Sequence, residues 1–66
     1  MSTIGKNIKR YRQDKGLSQD KLSKLSDLSL NTVVKIELDE GPNPTIETIQ
    51  RIAKALVVSV YDLLKK

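Results

Sequence analysis

The sequence predicts an all-α fold of five short helices, and two observations support it. Apolar residues recur three or four positions apart in several short stretches, which is the spacing of amphipathic helices. A Ser or Thr precedes four of these stretches, where its hydroxyl oxygen can accept an otherwise unpaired backbone amide. The β-branched pair Val57 and Val58 could form a strand, but an isolated strand has no partner with which to pair. We therefore expect helices only.

The first helix is predicted to run from Thr3 to about residue 15. Ile4, Ile8 and Tyr11 recur at helical spacing, so they share one face. Gly16 stands where a C-terminal cap is expected, because glycine adopts the left-handed conformation without steric cost.

Two shorter helices are predicted between residues 18 and 38. Ser18 is a preferred N-cap for a helix over residues 19–26, and Ser29 has the same part before a helix over residues 30–38. About three residues separate the two helices, so the turn between them is tight. The apolar side chains expected to face the core are Leu22, Leu25, Val33 and Ile36.

Two more helices follow a loop over residues 39–44, which Gly41 and two prolines keep from being helical. Thr45 is the predicted cap of the fourth helix. Ser59 and Asp62, three residues apart, make a capping box for a short fifth helix. The side chains expected to face the core from the fourth helix are Ile46, Ile49, Ile52, Ala53 and Leu56. The fifth helix bears the apolar residues Val60, Leu63 and Leu64.

Length and composition exclude several classes of protein. The 66 residues allow one domain, which we place over residues 1–66. Without Cys or His there is no disulfide framework and no imidazole base, and no nucleophile with a base or phosphate-binding loop is present, so we expect neither an enzyme nor a cofactor or metal site. The longest apolar run, residues 55–58, is far below the roughly 20 residues of a membrane helix. No apolar segment follows Met1, so we expect a soluble, cytoplasmic protein.

Several motifs occur in a fixed order along the chain. They are Arg12, then Gly16-Leu17-Ser18-Gln19, Leu22, Ser29, Thr32, Val33, Ile36 and Glu37, and later Pro44-Thr45-Ile46, Ile52-Ala53-Lys54-Ala55-Leu56 and Val58-Ser59-Val60. From about Ile4 to Leu64 the chain resembles the lambda-repressor and Cro-like family of helix-turn-helix proteins. The resemblance implies a compact five-helix domain with its helix-turn-helix at about residues 18–38. It also implies a transcriptional regulator, of the repressor type, that binds double-stranded DNA as a homodimer on a roughly palindromic operator and is associated with the nucleoid.

The outward edge of the third helix has an unusual composition. At about 100° per residue, the side opposite Val33 and Ile36 carries one charge, one amide and several methyl groups. Such an edge suits a DNA major groove, where Asn31 could bind adenine, Lys35 could bind guanine and methyl groups could touch thymine. The residues predicted to contact bases are Leu30, Asn31, Thr32, Val34 and Lys35.

The same edge leaves a second interpretation open. Leu30, Val34 and Leu38 could pack beneath the following loop or against a partner protein, which would make the chain a protein-interaction module. DNA binding should weaken steeply as salt rises, whereas apolar docking should not. The formal net charge of +4 favours an anionic partner only weakly.

Phosphate contacts are predicted mainly at helix starts. Unpaired amides and the helix dipole favour an anion where the second helix begins, and the family places a DNA phosphate there. For Ser18 a role as cap alone remains open, and for Lys9 a role as a solvated side chain. The predicted phosphate contacts are Lys9, Ser18, Gln19, Ser29 and Asn43.

Arg12 and Glu37 match two family positions that form an ion pair between the first and third helices. Glu37 lies on the inward side of the third helix, and a buried carboxylate needs a partner because an isolated buried charge is costly. We therefore assign this pair to the structure of the fold, so Arg12→Ala should destabilise the protein and lower DNA binding only indirectly.

The sequence also departs from the family pattern. Asp27 and Val57 stand where glycine is usual, and a left-handed valine would be an outlier, so the fourth helix either ends differently or is strained at Val57. Asp39 and Glu40 stand where family members often contact phosphates, and carboxylates there would repel the DNA backbone.

Overall fold

The computed structural model describes residues 3–66 and contains five helices in that range, with no strand. This confirms the all-α fold. Met1 and Ser2, which the predicted domain includes, lie outside the described residues. The helices are α1 (Thr3–Asp14), α2 (Gln19–Ser26), α3 (Leu30–Glu37), α4 (Ile46–Leu56) and α5 (Val60–Leu64).

The four predicted hydroxyl caps are confirmed. Ser18, Ser29, Thr45 and Ser59 each accept a hydrogen bond from the backbone N–H three residues further on, at 3.0–3.2 Å. The carboxylate of Asp62 accepts from the backbone N–H of Ser59 at 3.0 Å, which completes the predicted capping box. These local bonds fix where α2 to α5 begin.

One apolar core joins all five helices. Helix α2 packs against α3 and α4, while α1 packs against α3 and α5. The shared centre excludes water from aliphatic side chains, which is the main driving force available to a chain without disulfides. The side chains with no exposed surface are Ile8, Leu22, Val33, Ile52, Leu56 and Leu63.

The prediction that Leu25 faces the core is wrong, since Leu25 is 51% exposed. Two serines take the inward positions beside Leu22, and Ser23 and Ser26 are 4% and 3% exposed. Their hydroxyls donate to backbone carbonyls of the same helix, Ser23 to that of Asp20 at 2.6 Å and Ser26 to that of Leu22 at 2.7 Å. Small, internally bonded side chains therefore form the face by which α2 packs against its neighbours.

The prediction that Ile46 faces the core is also wrong, and Leu64 is likewise exposed. Ile46 is 61% exposed and Leu64 is 45% exposed. Ile46 is the first residue of α4 and Leu64 the last of α5, so both project beyond the core that the middle of each helix covers. Periodicity alone does not show where the packing partner ends.

Among residues 3–66, three residues other than glycine take the left-handed conformation. Asp27 has φ 58°, Asp39 has φ 60° and Val57 has φ 59°. After each, the next N–H donates to a carbonyl five residues earlier at 2.9–3.0 Å, the pattern of a Schellman helix end. Asp27 tolerates this conformation, but a β-branched residue does not, so strain is stored at Val57.

The Asn7 side chain links α1 to the end of α5 by hydrogen bonds. Its side chain is buried, and its Nδ2 donates to the carbonyl oxygens of Leu63 at 2.9 Å and Lys65 at 2.6 Å. The carbonyls at the end of a helix have no partner within it, so this amide replaces water there. Between residues 3 and 66, no helix has the length and apolar character needed to cross a membrane.

Candidate nucleic-acid interface

The turn between α2 and α3 sets the angle between the two helices. Asp27 reverses the chain at the end of α2, Leu28 packs partly buried against the core, and Ser29 caps α3. This turn has little conformational freedom, because a left-handed residue, a partly buried apolar residue and an N-cap follow one another in it. The outward edge of α3 is therefore displayed at a fixed angle to the start of α2.

Helix α1 supports α3 from behind at very short range. A Cβ atom added to Gly5 would lie 2.5 Å from the carbonyl oxygen of Ile36 and 3.2 Å from that of Glu37. Only glycine at position 5 allows α1 and α3 to approach so closely without displacing backbone atoms. Val33 and Ile36 fill the rest of the inward face of α3.

A buried ion pair holds the C-terminal end of α3. Arg12 donates from Nε to Oε2 of Glu37 at 2.7 Å and from Nη2 to Oε1 at 3.0 Å, and its Nη1 donates to the Leu17 carbonyl at 2.8 Å. The Arg12 and Glu37 side chains are 10% and 3% exposed. Hydrogen bonding to Glu37 raises the pKa of Arg12, although burial opposes the shift, so the guanidinium stays charged.

Gln19 joins this network from the start of α2. Its Nε2 donates to Oε1 of Glu37 at 3.1 Å. Sequence reasoning assigned Gln19 only to a phosphate and did not foresee this bond, which connects residues 18 positions apart. The backbone amide of Gln19 belongs to the first turn of α2, where it has no carbonyl within the helix to which it can donate.

The predicted base-contacting residues differ in exposure. Asn31 and Lys35 are exposed, and Leu30 is 44% exposed. Thr32 and Val34 are partly buried at the two borders of this edge. The amide and the ammonium thus lie at the centre of the outward edge of α3, with methyl groups beside them.

A groove runs between α3 and the loop that follows it. Its volume is about 330 Å³. Asn31, Thr32 and Lys35 line it from α3, and Asn43 lines it from the loop. Three predicted base-contacting residues and one predicted phosphate-contacting residue therefore share one depression. Glu40 lines the same groove.

The other predicted phosphate contacts lie at helix starts and on α1. Ser18 and Ser29 are exposed, and each hydroxyl accepts the capping hydrogen bond of its helix. Lys9 is exposed on α1, one helical turn after Gly5, which places it beside the face of α1 that packs against α3. Within the described part of the chain, no cluster of acidic side chains is suited to hold a metal ion.

Comparison with known proteins identifies the family. A family model described as helix-turn-helix matches residues 8–63. The chain belongs to this helix-turn-helix family. The resemblance to Cro-like proteins is thereby confirmed, and the family comprises DNA-binding proteins rather than enzymes.

Helix-turn-helix relatives of this chain include characterised regulators. The HTH-type transcriptional regulator SinR of Bacillus licheniformis is 33% identical over 63 residues, which cover 96% of this chain and 57% of SinR. The chain thus spans little more than half the length of that relative. The control protein C.SmaI of Serratia marcescens is 35% identical over 63 residues, which cover 96% of this chain and 74% of C.SmaI.

Among solved structures, the crystal structure of the master regulator for biofilm formation SinR in complex with DNA is similar throughout the fold. It superposes with a TM-score of 0.89 at 34% identity, covering 94% of this chain and 98% of that one. The five-helix arrangement is therefore that of a helix-turn-helix DNA-binding domain.

Proposed function

We propose that this chain is the DNA-binding part of a transcriptional regulator of the repressor type, which inserts α3 into the major groove of a specific duplex sequence. The observation that carries the proposal is the outward edge of α3, where an exposed amide and an exposed ammonium adjoin a groove. The membership of the helix-turn-helix family and the similarity to SinR, solved in complex with DNA, support it. Such a regulator acts in the cytoplasm, on the nucleoid.

In this proposal the edge of α3 contacts the bases. Asn31 donates to N7 and accepts from N6 of an adenine, and Lys35 donates to O6 or N7 of a guanine. The methyl-bearing side chains of Leu30, Thr32 and Val34 contact thymine methyl groups. A good contact of the bidentate kind is worth roughly 1–3 kcal/mol of discrimination against the wrong base.

The helix starts and the loop contact the DNA backbone. The first-turn amides of α2, beginning at Gln19, and the capping hydroxyls of Ser18 and Ser29 attract phosphates through hydrogen bonds and the helix dipole. Lys9 adds a positive charge beside the α1–α3 contact, and Asn43 adds an amide on the far wall of the groove. These contacts position the protein without selecting a sequence.

We further propose that two copies bind a roughly palindromic operator with their α3 helices about one helical turn apart. The exposed apolar side chains of Val57, Tyr61 and Leu64, at and just before α5, support this segment as the contact between copies, since they are 80%, 69% and 45% exposed. So short a segment offers less than the roughly 800 Å² per partner of a standard interface. We therefore expect the dimer to form on the operator and the free chain to be monomeric.

One observation favours a second candidate, the protein-interaction module. Leu30 and Leu38 are 44% and 60% exposed, so the edge of α3 also offers apolar surface to a partner protein. The two candidates differ in the response to salt, since only contacts with phosphates release the counterions of a duplex.

The test is the affinity for duplex DNA between about 50 and 200 mM salt, measured by fluorescence anisotropy. We expect the logarithm of the affinity to fall linearly with the logarithm of the salt concentration. Lys35→Ala should weaken binding, whereas Lys54→Ala, which removes the same charge from an exposed position on α4, should not. Equal effects of the two substitutions, or no salt-dependent binding, would refute the proposal.

A further inference from the structure

Glu40 is an acidic residue inside the groove proposed to face DNA. It lines the groove together with Asn31, Thr32, Lys35 and Asn43. Its side chain is exposed. A carboxylate at this position repels the phosphates of a duplex, so the effect of Glu40 on DNA binding needs a physical explanation.

The backbone fixes the position of Glu40. Asp39 turns the chain in the left-handed region, and the N–H of Glu40 then donates to the carbonyl of Lys35 at 2.9 Å. The next residue, Gly41, has φ 78°, and a Cβ atom placed on it would lie 3.9 Å from Cδ of Lys35. The Glu40 backbone therefore lies beside Lys35, within the same Schellman helix end.

Among residues 3–66, no Lys or Arg forms an ion pair with the carboxylate of Glu40. In the described part of the chain, Asp20 pairs with Lys24, Asp27 and Glu47 pair with Arg51, and Glu37 pairs with Arg12. Glu40 thus contributes a full negative charge to the groove. Opposite an approaching duplex, that charge meets phosphates and repels them.

We propose that Glu40 limits the affinity of this chain for DNA by facing a backbone phosphate of the bound duplex. This inference rests on the proposed function. The carboxylate cancels part of the attraction supplied by Lys35, which lines the same groove, so that the duplex is bound less tightly than it would be without Glu40. Its partner is the phosphodiester backbone, so the effect is independent of base sequence.

The test compares Glu40→Gln with Asp14→Asn. Both substitutions raise the formal net charge from +4 to +5. Asp14 is exposed at the end of α1 and does not line the groove, so it controls for total charge. The measurement is the affinity of each variant for a duplex of unselected sequence and for a site selected from random duplexes, between about 50 and 200 mM salt. Melting temperatures verify that both variants are folded.

Glu40→Gln should bind both duplexes more tightly than wild type, by a similar factor. Because Glu40→Gln removes the repulsion of one phosphate, it should steepen the slope of log affinity against log salt by up to about 0.9. The advantage over wild type should therefore shrink by up to about 3.5-fold between about 50 and 200 mM salt. Asp14→Asn should stay close to wild type, and Glu40→Lys should bind more tightly than Glu40→Gln.

Two results would overturn the inference while leaving the proposed function intact. The first is that Glu40→Gln binds no more tightly than Asp14→Asn, which would mean that the position of the Glu40 carboxylate does not affect binding. The second is a change confined to the selected site, which would mean that Glu40 reads a base. A wild-type protein without salt-dependent DNA binding would instead refute the proposed function itself.

Discussion

Removing one partner of the Arg12–Glu37 pair should destabilise the protein more than removing both. In Arg12→Met, the Glu37 carboxylate loses its two guanidinium donors and keeps only the Gln19 amide, in a site where the Glu37 side chain is 3% exposed. Leaving a buried charge unpaired in this way costs about 3–5 kcal/mol. In the double variant Arg12→Met/Glu37→Met, two apolar side chains of similar size replace the pair, and no charge stays buried.

The expected loss is large relative to the stability of the fold. At about 0.05–0.15 kcal/mol per residue, a chain of this size is stable by roughly 3–10 kcal/mol. Each kcal/mol corresponds to a change of about 4–8 °C in melting temperature for a small domain, so Arg12→Met should melt at least about 12 °C below wild type. The double variant should recover most of this difference, because buried pairs replaced by apolar residues are often neutral in stability.

Thermal and urea unfolding followed by far-ultraviolet circular dichroism would measure both effects. DNA binding of Arg12→Met should be close to wild type once the affinity is corrected for the folded fraction, because Arg12 is buried and its guanidinium donates to Glu37 and Leu17 inside the fold. A single variant that melts like wild type but no longer binds DNA would refute the structural assignment. So would a double variant less stable than either single one.

Three further substitutions test other parts of the fold. Val57→Gly should raise the urea midpoint, corresponding to up to about 1.5 kcal/mol of stability, because it relieves about 1–2 kcal/mol of left-handed strain and adds about 0.5–1 kcal/mol of backbone entropy cost. A midpoint below that of wild type would argue against strain. Gly5→Ala should destabilise by about 1–3 kcal/mol, because its Cβ would press on the Ile36 carbonyl, and a melting temperature at or above that of wild type would contradict this close packing. Backbone hydrogen bonding to Ser59 lowers the pKa of Asp62, so the contribution of Asp62 to the free energy of unfolding is present above about pH 4 and is lost as the pH falls through that lowered pKa. Asp62→Asn should therefore flatten the dependence of stability on pH below about 4. An acid unfolding profile identical to that of wild type would count against this assignment.

Local signals predicted most of the helical structure. The four N-caps depend on a hydroxyl and an amide three residues apart, so the chain around Ser18 or Ser59 suffices to place a helix start. The separation of about 100° per residue likewise predicted that Asn31 and Lys35 lie opposite Val33 and Ile36. These local patterns do not depend on how the helices pack against one another.

Long-range contacts could not be predicted in the same way. Asn7 binds carbonyls 56 and 58 residues away, and the Gln19–Glu37 bond depends on the angle between two helices. Leu25 fits the apolar spacing of α2, but the structure places serines against the neighbouring helices instead. The groove of the candidate site was not foreseen either, because it depends on the path of the loop after α3, and the left-handed turn at Asp39 gave no signal in the sequence.

The most direct test of the claim that the edge of α3 enters the major groove is a selection of bound sites from random duplexes. Wild type should yield a roughly palindromic consensus. Asn31→Ala and Lys35→Ala should each relax the preference at one or two positions of each half-site, while Lys9→Ala should weaken all sites about equally. An unchanged consensus for Asn31→Ala and Lys35→Ala, at any affinity, would show that other residues read the bases and would contradict the account.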